Sequence, residues 1–308
     1  MRILVTGCAG FIGFHMCDRL LRDGHEVVGL DNVSTGQRPN VVDLSKNPRF
    51  QFVEHDLTQP LALDGSFERV FNFACPASPV DFDPRRLDIL AVCSRGVWNL
   101  LDFCKRSGAR LLHTSTSEVY GDPKVHPQRE DYWGNVNPIG PRSCYDEGKR
   151  FAEALITAYR AMHGVETRMV RIFNTYGPRM RRDDGRALPN FISQALTNQP
   201  ITVHGDGSQT RSFCYISDQI EGLTRLAESD CTDPVNIGNP VEVTILQVAR
   251  EIVQLANSRS EIHLVPRPQD DPTVRQPDIS RARKVLGWSP VVERTDGFCR
   301  TIEWFRGG

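Results

Sequence analysis

A tyrosine and a lysine four residues apart, Tyr145 and Lys149, are the side chains of this 308-residue sequence best suited to acid-base chemistry. On an α-helix, this spacing places both side chains on the same face and within reach of each other. A phenol normally loses its proton near pH ~10, but a neighbouring cation favours the phenolate and lowers the phenol pKa. The pair therefore predicts that Tyr145 acts as a general base toward a sugar or alcohol hydroxyl.

The spacing alone is weak support, so the surrounding sequence must indicate a helix. A second pair, Tyr120 and Lys124, has the same spacing, but Pro123 would break a helix there, and this pair is predicted to lie on a turn. The Tyr145 segment carries helix signals instead, with Ser143 as an N-terminal cap, acidic residues in the first turn and an apolar stripe after them. The alternative is a surface helix with an incidental tyrosine.

The sequence GCAGFIG at residues 7–13 has the glycine spacing of a dinucleotide-binding loop. A strand pattern at 2–6, a helix pattern at 11–23 and a second strand pattern at 25–30 surround it. Glycines let the backbone approach a pyrophosphate at the N-terminus of the helix. Asp31 ends the second strand, where a carboxylate can bind the adenosine ribose and repel a 2′-phosphate. The pattern therefore predicts NAD, rather than NADP, as the cofactor.

Strand and helix patterns alternate through the first half of the chain, which predicts an α/β fold with a doubly wound parallel (Rossmann) sheet. The ligands of such a sheet lie at the carboxyl ends of its strands. Residues 1–177 are predicted to form the NAD-binding domain. Residues 178–308 are predicted to form mainly a smaller, interleaved C-terminal substrate-binding lobe, with some segments returning to the Rossmann domain. Beyond the first unit, the patterns are strands at 50–53, 70–74, 110–114 and 168–173, a helix at 84–106, and short elements between dense turns from about residue 178 onward, such as 201–203 and 212–216.

Composition excludes several classes of protein. A formal net charge of -1 gives no general attraction to nucleic acid or to an anionic membrane. No apolar run approaches the ~18 residues of a membrane span, and the first strand leaves no room for a signal peptide. Nine cysteines without a Cys-x-x-Cys pair favour reduced thiols over a disulfide framework or a metal site. We therefore expect a soluble cytoplasmic protein without a bound metal.

Taken together, these features resemble the extended short-chain dehydrogenase/reductase family, whose members act on nucleotide sugars. The resemblance covers nearly the whole chain and is strongest to the branch of UDP-glucuronate decarboxylases (UDP-xylose synthases). Such long matches are more specific than a single motif. They are STSEVYGDP (115–123), EDYW (130–133), NPIGPRSCYDEGKR (137–150), RIFNTYGPR (171–179) and GDGSQTR (205–211).

The resemblance implies a redox cycle that begins and ends at C4 of the sugar. Tyr145, assisted by Lys149 and Thr116, is expected to remove the C4 hydroxyl proton while C4 is oxidised. The C5 carboxylate then leaves as carbon dioxide, and C4 is reduced again to give UDP-xylose with NAD unchanged overall. Glu118 is expected to order the protonation of C5, directly or through water. Arg275 is expected to position the sugar or the diphosphate.

The resemblance also implies binding residues. No metal ligand is expected, and the helices at 84–106 and 145–163 would pair in a homodimer. The UDP-sugar substrate is expected to contact Asn174, Asn190, Arg211 and Arg275. The NAD site is expected to comprise Gly7, Gly10, Phe11, Ile12, Gly13, Asp31, Asn32, Thr35, Gly36, Asp56, Leu57, Ala74, Tyr145 and Lys149.

Two positions separate the branches of the family. Related 4,6-dehydratases carry an Asp at the position of Ser117, where it protonates a leaving hydroxyl, and 4-epimerases commonly lack the carboxylate of Glu118. A 4-epimerase, a 4,6-dehydratase and an NAD-binding regulator without activity are the alternatives. Cys8 and Phe14 depart from the small residues usual in the glycine loop. Residues 80–82, Val-Asp-Phe, depart from the family pattern beside the sugar, which leaves sugar selectivity open.

Overall fold

A parallel sheet of seven strands forms the centre of the protein in the computed structural model, which describes residues 1–307. The strand order is β11-β6-β5-β4-β1-β2-β3, and every neighbouring pair is parallel. The chain order reverses between β1 and β4, which is where such folds bind ligands. The predicted Rossmann fold is confirmed. Its strands are β1 (Arg2–Thr6), β2 (Glu26–Asp31), β3 (Phe50–Glu54), β4 (Arg69–Asn72), β5 (Arg110–Thr116), β6 (Thr167–Ile172) and β11 (Val235–Ile237).

Helices cover both faces of this sheet because successive side chains of each strand point to opposite faces. On β1, Ile3 and Val5 join one hydrophobic core with α1 and α8, whereas Leu4 joins another with α5 and α6. The helices are α1 (Phe11–Arg22), α2 (Arg38–Leu44), α3 (Pro79–Phe82), α4 (Arg86–Ala91), α5 (Val97–Ser107), α6 (Ser143–His163), α7 (Ala187–Leu196), α8 (Ile216–Glu228), α9 (Ile245–Leu255), α10 (Ser280–Leu286) and α11 (Arg294–Gly307).

The C-terminal part of the chain forms a smaller lobe around three two-stranded sheets. β11 and α8 return from it to the large sheet. Buried side chains of the lobe, such as Ile252 and Phe298, belong to the same core as Ile3 and Val5 of β1. The two parts are therefore packed as one body. The pairs are β7 (Thr175–Tyr176) with β10 (Cys214–Tyr215), β8 (Ile201–His204) with β13 (Ile262–Val265), and β9 (Thr210–Ser212) with β12 (Glu242–Thr244).

Three local predictions were wrong. The helix predicted at 84–106 is interrupted by a π-helix, Val92–Gly96, whose wider turn carries Cys93 toward α6. Room for it exists because a Cβ on Gly148 of α6 would lie only 3.1 Å from Cys93 Cβ. The single short element predicted at 212–216 is divided among β9, β10 and α8. Ser143 does not cap α6, since the helix begins at Ser143 and Arg142 is its N-cap residue.

Within residues 1–307, none of the helices combines the length and apolar character needed to cross a membrane.

Candidate active site

The glycine loop between β1 and α1 has no room for side chains. A Cβ on Gly13 would lie 2.0 Å from the carbonyl oxygen of Gly7, and a Cβ on Gly7 would lie 2.7 Å from the backbone carbon of Phe73. Gly7 also has a φ of +76°, which L side chains rarely adopt. These contacts explain the glycine spacing, because the loop must pass between β4 and the start of α1.

The N-terminus of α1 is open toward a cavity of about 410 Å³. Gly10, the N-cap residue, has no side chain to cap the helix, and the first turn of any α-helix has N–H groups without helical partners. Phe11, Ile12 and Gly13, which form this turn, line the cavity together with Gly7 and Gly10. Such an end attracts a negatively charged group, so the loop fits the pyrophosphate of a dinucleotide.

Asp31 stands beside a second cavity of about 360 Å³. Its Oδ2 accepts a hydrogen bond from the Ala9 amide at 2.9 Å, and its Oδ1 accepts one from the Val33 amide at 2.8 Å. Burial raises the pKa of the carboxyl, and the two amides oppose that shift. A carboxylate held in this way fits the predicted contact with the adenosine ribose. The other predicted adenosine-side residues line the same cavity: Asn32, Thr35, Gly36, Asp56, Leu57 and Ala74.

Tyr145 and Lys149 lie on one face of α6, as predicted, at the carboxyl end of β5. Both side chains are buried, and Lys149 Nζ lies 5.8 Å from the centroid of the Tyr145 ring. Nζ also donates a hydrogen bond to the backbone carbonyl of Thr114 at 2.9 Å, which fixes the ammonium against the carboxyl end of β5. Thr116, at the end of β5, lines the same cavity as the pair. The three predicted acid-base residues therefore lie together.

The expected pKa of Tyr145 needs a correction. Burial disfavours the phenolate and raises the pKa of Tyr145 to about 12, although the charge of Lys149 and the hydroxyl of Thr116 both lower it. For Lys149 itself, burial favours the neutral amine, but the negative charges that Cys75, Cys93, Tyr145 and Glu153 can carry together outweigh burial and raise its pKa. The lysine therefore keeps its charge. A further positive charge is needed before Tyr145 acts as a base at neutral pH.

Residues 80–82, which differ from the family pattern, lie at one wall of this site. The Phe82 ring stacks on the Tyr145 ring, with centroids 5.0 Å apart and planes 20° from parallel. Asp81 Oδ2 accepts a hydrogen bond from Arg181 at 3.0 Å. Asp81 and Phe82 both line the larger cavity. Phe82 therefore contacts Tyr145 directly and Asp81 lies at the cavity wall, so we expect this segment to influence substrate choice.

Glu118 lies two residues beyond Thr116 and is held by two arginines. Its Oε2 accepts hydrogen bonds from Arg142 at 2.8 Å and from Arg275 at 3.1 Å. Burial alone would raise the pKa of the Glu118 carboxyl, but the charges of Arg275 and Arg142 outweigh it and lower the pKa to about 2. The carboxylate is therefore ionised at any working pH. It can accept a hydrogen bond from a water molecule, but it holds no proton to donate directly.

Arg275 differs from the other predicted substrate residues in its position. It is fully buried, and it donates hydrogen bonds to the Ser117 carbonyl and to Glu118. Its side chain does not belong to the wall of the larger cavity. The structure therefore places Arg275 behind Glu118, where it fixes that carboxylate, and not in contact with the space that a sugar would occupy.

The remaining predicted substrate residues line the larger cavity: Asn174, Asn190 and Arg211. Arg211 donates to Asp271 Oδ1 at 2.9 Å and to the Thr210 carbonyl at 2.8 Å, so its guanidinium is held at the cavity wall. A guanidinium fixed in this way can bind a phosphate through two parallel hydrogen bonds.

Sequence reasoning missed two charged residues of the site. Arg142 lines the cavity and pairs with Glu118, and Asp146 is buried in the same charged cluster. Burial and the charge of Glu118 raise the pKa of Asp146 to about 8. The sequence offered one signal for them, since Arg142 and Asp146 flank Tyr145 on α6 at helical spacing. Their partner could not be identified, because Glu118 is reached only through the tertiary fold.

A Rossmann sheet, an uncapped glycine loop and a buried Tyr/Lys pair at the end of β5 define a dinucleotide-dependent enzyme of the extended short-chain dehydrogenase/reductase class. Residues 3–238 match the model of the NAD dependent epimerase/dehydratase family. The chain belongs to this family, and the prediction of NAD as its cofactor is confirmed.

Related sequences narrow the resemblance. UDP-glucuronic acid decarboxylase 6 of Arabidopsis thaliana is 52% identical over 307 residues, which are 99% of this chain and 89% of the relative. UDP-glucuronic acid decarboxylase 1 of Danio rerio is 51% identical over 304 residues, or 99% of this chain and 72% of the relative. The predicted resemblance to the decarboxylase branch is confirmed.

Among solved structures, UDP-glucuronic acid 4-epimerase of Bacillus cereus, in complex with UDP-glucuronic acid and NAD, has a TM-score of 0.89 and 30% identity. The match covers 100% of this chain and 99% of that chain. UDP-glucose 4-epimerase of Thermotoga maritima, with UDP-glucose, has a TM-score of 0.90 and 26% identity, with the same coverage. Enzymes with different named reactions therefore share this fold.

The contacts of Asp31 predict a measurable cofactor preference. The chain should bind NADH at least ~10-fold more tightly than NADPH, equivalent to about 1.4 kcal/mol, because the 2′-phosphate would meet the carboxylate of Asp31 at the cavity wall. Asp31→Asn should narrow this ratio. Titration of nucleotide-free protein with either cofactor, followed by nicotinamide fluorescence, measures both affinities. The control is Asp83→Asn, since Asp83 is an exposed carboxylate outside both cavities. An unchanged ratio in Asp31→Asn would contradict the assigned ribose contact.

Proposed function

We propose that this protein catalyses the NAD-dependent decarboxylation of UDP-glucuronate to UDP-xylose, as a carboxy-lyase. The observation that carries this proposal is the end of β5, where Thr116 and an ionised Glu118 lie beside Tyr145 in one cavity. Ser117 between them cannot supply the acid that a dehydratase needs to expel a hydroxyl. About 50% identity to proteins named UDP-glucuronic acid decarboxylases supports the same reaction.

Oxidation at C4 begins with Tyr145. Thr116 and the Lys149 ammonium stabilise the phenolate form of Tyr145, which takes the proton of the C4 hydroxyl and becomes a neutral phenol. When bound, NAD would supply the hydride acceptor and donor for C4 and a positively charged nicotinamide ring. A positive charge in the cavity that Tyr145 lines would favour the phenolate of this tyrosine, whose pKa burial otherwise raises to about 12.

Loss of carbon dioxide follows from the C4 ketone. The bond between C5 and the carboxylate breaks, carbon dioxide leaves, and the electron pair moves into the C4 carbonyl as an enolate. Tyr145 and Thr116 donate hydrogen bonds to the developing oxyanion. C5 then takes a proton from a water molecule that the ionised Glu118 orders, and the hydroxide left behind takes a proton from the solvent. Counted over the whole cycle, one proton replaces one carboxylate, and no net oxidation occurs.

The charges of the cavity wall suit a UDP-sugar. We propose that Arg211 binds the diphosphate, while Asn174 and Asn190 bind its oxygens or the sugar hydroxyls. Arg275 and Arg142 act through Glu118, because both hold its carboxylate in one orientation. In this assignment, residues 1–177 hold the cofactor and residues 178–308 supply most of the substrate side.

A product assay tests the proposed reaction. Purified protein with NAD and UDP-glucuronate should release carbon dioxide and UDP-xylose in equal amounts, without accumulation of NADH. UDP-glucose, which has no carboxylate to lose, is the matched substrate control. A C4 epimer without carbon dioxide would identify a 4-epimerase instead, and lasting NADH with carbon dioxide would identify a released 4-keto product. No conversion of either sugar would indicate a non-catalytic NAD-binding protein.

The lysine near Tyr145 predicts a shift in the pH profile. The charge of Lys149 lowers the pKa of Tyr145, so Lys149→Met should raise this pKa and move the acid limb of the kcat/KM profile to higher pH. Turnover at neutral pH should fall for the same reason. Decarboxylation rates measured between about pH 6 and 10 provide the profile. An acid limb at the same pH as in the parent protein would contradict the assignment of Tyr145 as the base.

Two tyrosine variants are controls for this experiment. Tyr145→Phe lacks the titrating hydroxyl, so its turnover should be lower by a factor of about 100 or more across the whole pH range. Tyr159→Phe removes a hydroxyl on the same helix that hydrogen-bonds Asp102 instead, and it should keep the parent profile.

We further propose that the protein is a homodimer. Large apolar side chains on α4, α5 and α6 are exposed, including Leu87 and Met162, which are 79% and 77% exposed. Because α6 contacts both α4 and α5, these side chains lie on neighbouring helices. Exposed apolar side chains on packed helices indicate a protein interface. The others on these helices are Leu90, Trp98 and Phe151.

Charge placed on these helices should prevent pairing. Leu87→Glu combined with Phe151→Glu should convert a dimer into a monomer, since two buried carboxylates would have no partners. Light scattering after size-exclusion chromatography measures the mass directly. Val291→Glu, at an exposed apolar position outside these helices, is the control and should leave the mass unchanged. A parent protein that is monomeric at micromolar concentration would contradict the proposal.

We also propose a cytoplasmic location. All nine cysteines carry free thiols, which suits a reducing compartment.

A further inference from the structure

Two cysteines from separate elements meet beside the active site. Cys75 follows the end of β4, and Cys93 lies in the π-helix between α4 and α5. Their Sγ atoms are 3.6 Å apart, although the residues are 18 positions apart in the chain. Neither thiol takes part in the proposed reaction. The π-helix is itself a rare local structure that often marks a functional position.

The surroundings of the pair favour reaction at Cys75. Cys75 is partly exposed and lines both cavities, at the place where the two meet. The hydrogen bond from Cys93 lowers the pKa of Cys75, burial opposes this shift, and the charge of Lys149 adds to it, giving a pKa of about 7. Burial instead raises the pKa of Cys104 to about 12. Cys75 can therefore be the attacking thiolate, with Cys93 beside it as the second thiol.

We propose that Cys75 and Cys93 form an oxidant-sensitive dithiol site. Its closure to a disulfide weakens dinucleotide binding in the cofactor cavity and so lowers the activity. The oxidant belongs to the class of hydroperoxides. The Cys75 thiolate attacks the peroxide and the O–O bond breaks, which gives a sulfenic acid and, once the leaving oxygen has taken a proton, an alcohol, or water where the oxidant is hydrogen peroxide. The Cys93 thiol then displaces the hydroxyl of this sulfenic acid, which leaves as water. Two thiols lose two electrons, the peroxide gains them, and an added dithiol reverses the reaction.

The disulfide would change the site through two contacts. An S–S bond is about 2.05 Å long, so the sulfur atoms must approach by about 1.5 Å from their present separation. Cys75 would move at the junction of the two cavities, where it helps to form the wall. Cys93 packs against Gly148, the residue before Lys149, so α6 would also be displaced next to the ammonium. Oxidation also removes the Cys75 thiolate that favours the charged form of Lys149.

Peptide mapping detects the bond without reference to activity. The NAD-bound protein is treated with hydrogen peroxide, its remaining thiols are alkylated, and it is digested with trypsin without reduction. Residues 70–85 and 87–95 form separate tryptic peptides, each with one cysteine. The expected result is a linked pair of these two peptides that separates on reduction. Linkage of Cys75 to another cysteine, or no linked peptide after peroxide has inactivated the enzyme, would overturn the proposal.

Two functional readouts accompany the mapping. NADH affinity, measured by fluorescence, should fall at least ~10-fold as the linked peptide appears, and dithiothreitol should restore it. Turnover of UDP-glucuronate should fall and recover in parallel, a readout that rests on the proposed function. NADH binding does not rest on it, so the two proposals can fail separately. A fully linked protein that binds NADH as tightly as the reduced protein would overturn the switch.

Variants assign the effect to this pair. Cys93→Ala removes the second thiol, so the sulfenic acid of Cys75 should be oxidised further to sulfinic acid, and dithiothreitol should not restore NADH binding after prolonged treatment. Cys93→Ser provides the same test if the alanine variant fails to fold. Cys104→Ala, a buried cysteine in α5, should keep the reversible behaviour of the parent protein. Full recovery in both Cys93 variants would overturn the role of Cys93.

Discussion

The active site depends on one interaction, the hydrogen bond from the buried Lys149 ammonium to the backbone carbonyl of Thr114. Lys149 is only 5% exposed, so its charge must be satisfied within the protein. The Thr114 carbonyl accepts its hydrogen bond, and that carbonyl is fixed because β5 is paired on both sides in the middle of the sheet. This contact locks α6 across the end of β5. The positions of Tyr145 and Thr116 relative to each other then follow from the sheet, and not from a flexible loop.

The second constraint is the balance of charge around Glu118. Two arginines share one carboxylate oxygen, and Arg275 is fully buried, so removing the carboxylate would leave both guanidinium groups without the anion that pairs with them most closely. The cluster therefore keeps Glu118 ionised, and for that reason Glu118 cannot act as a proton donor. The pKa of Asp146 is raised to about 8, so this carboxyl stays largely protonated at neutral pH and does not repel the Glu118 carboxylate. Structure and chemistry are linked here, since the same arginines fix both the position and the charge of Glu118.

The local parts of the site could be predicted from the sequence, because each depends on spacing within one or two elements. The glycine loop with Asp31 and the helical Tyr145/Lys149 pair are of this kind. The alternation of strand and helix patterns, which predicts the Rossmann sheet, is local as well. The remaining features depend on tertiary packing. Spacing predicts that Lys149 lowers the pKa of Tyr145, but only the fold shows that burial has the larger effect. The burial of Arg275 and the meeting of two cysteines 18 residues apart are likewise set by how distant segments pack.

Fold alone does not decide between epimerisation and decarboxylation, because both reactions begin with oxidation at C4 on the same scaffold. After oxidation, a uronic acid has become a β-keto acid, which can lose its carboxylate as carbon dioxide. Glu118 lines the cavity as an ionised carboxylate, but Arg142 and Arg275 both pair with it, so the cluster as a whole is not negatively charged. Its charge therefore gives no reason for a substrate carboxylate to be repelled. The difference between the two proposed reactions lies in the step at C5, because an epimerase needs no proton at C5, whereas a decarboxylase must protonate C5 after carbon dioxide has left. We propose that Glu118 serves this second need by ordering a water molecule, which is why a carboxylate at this position fits decarboxylation better than epimerisation.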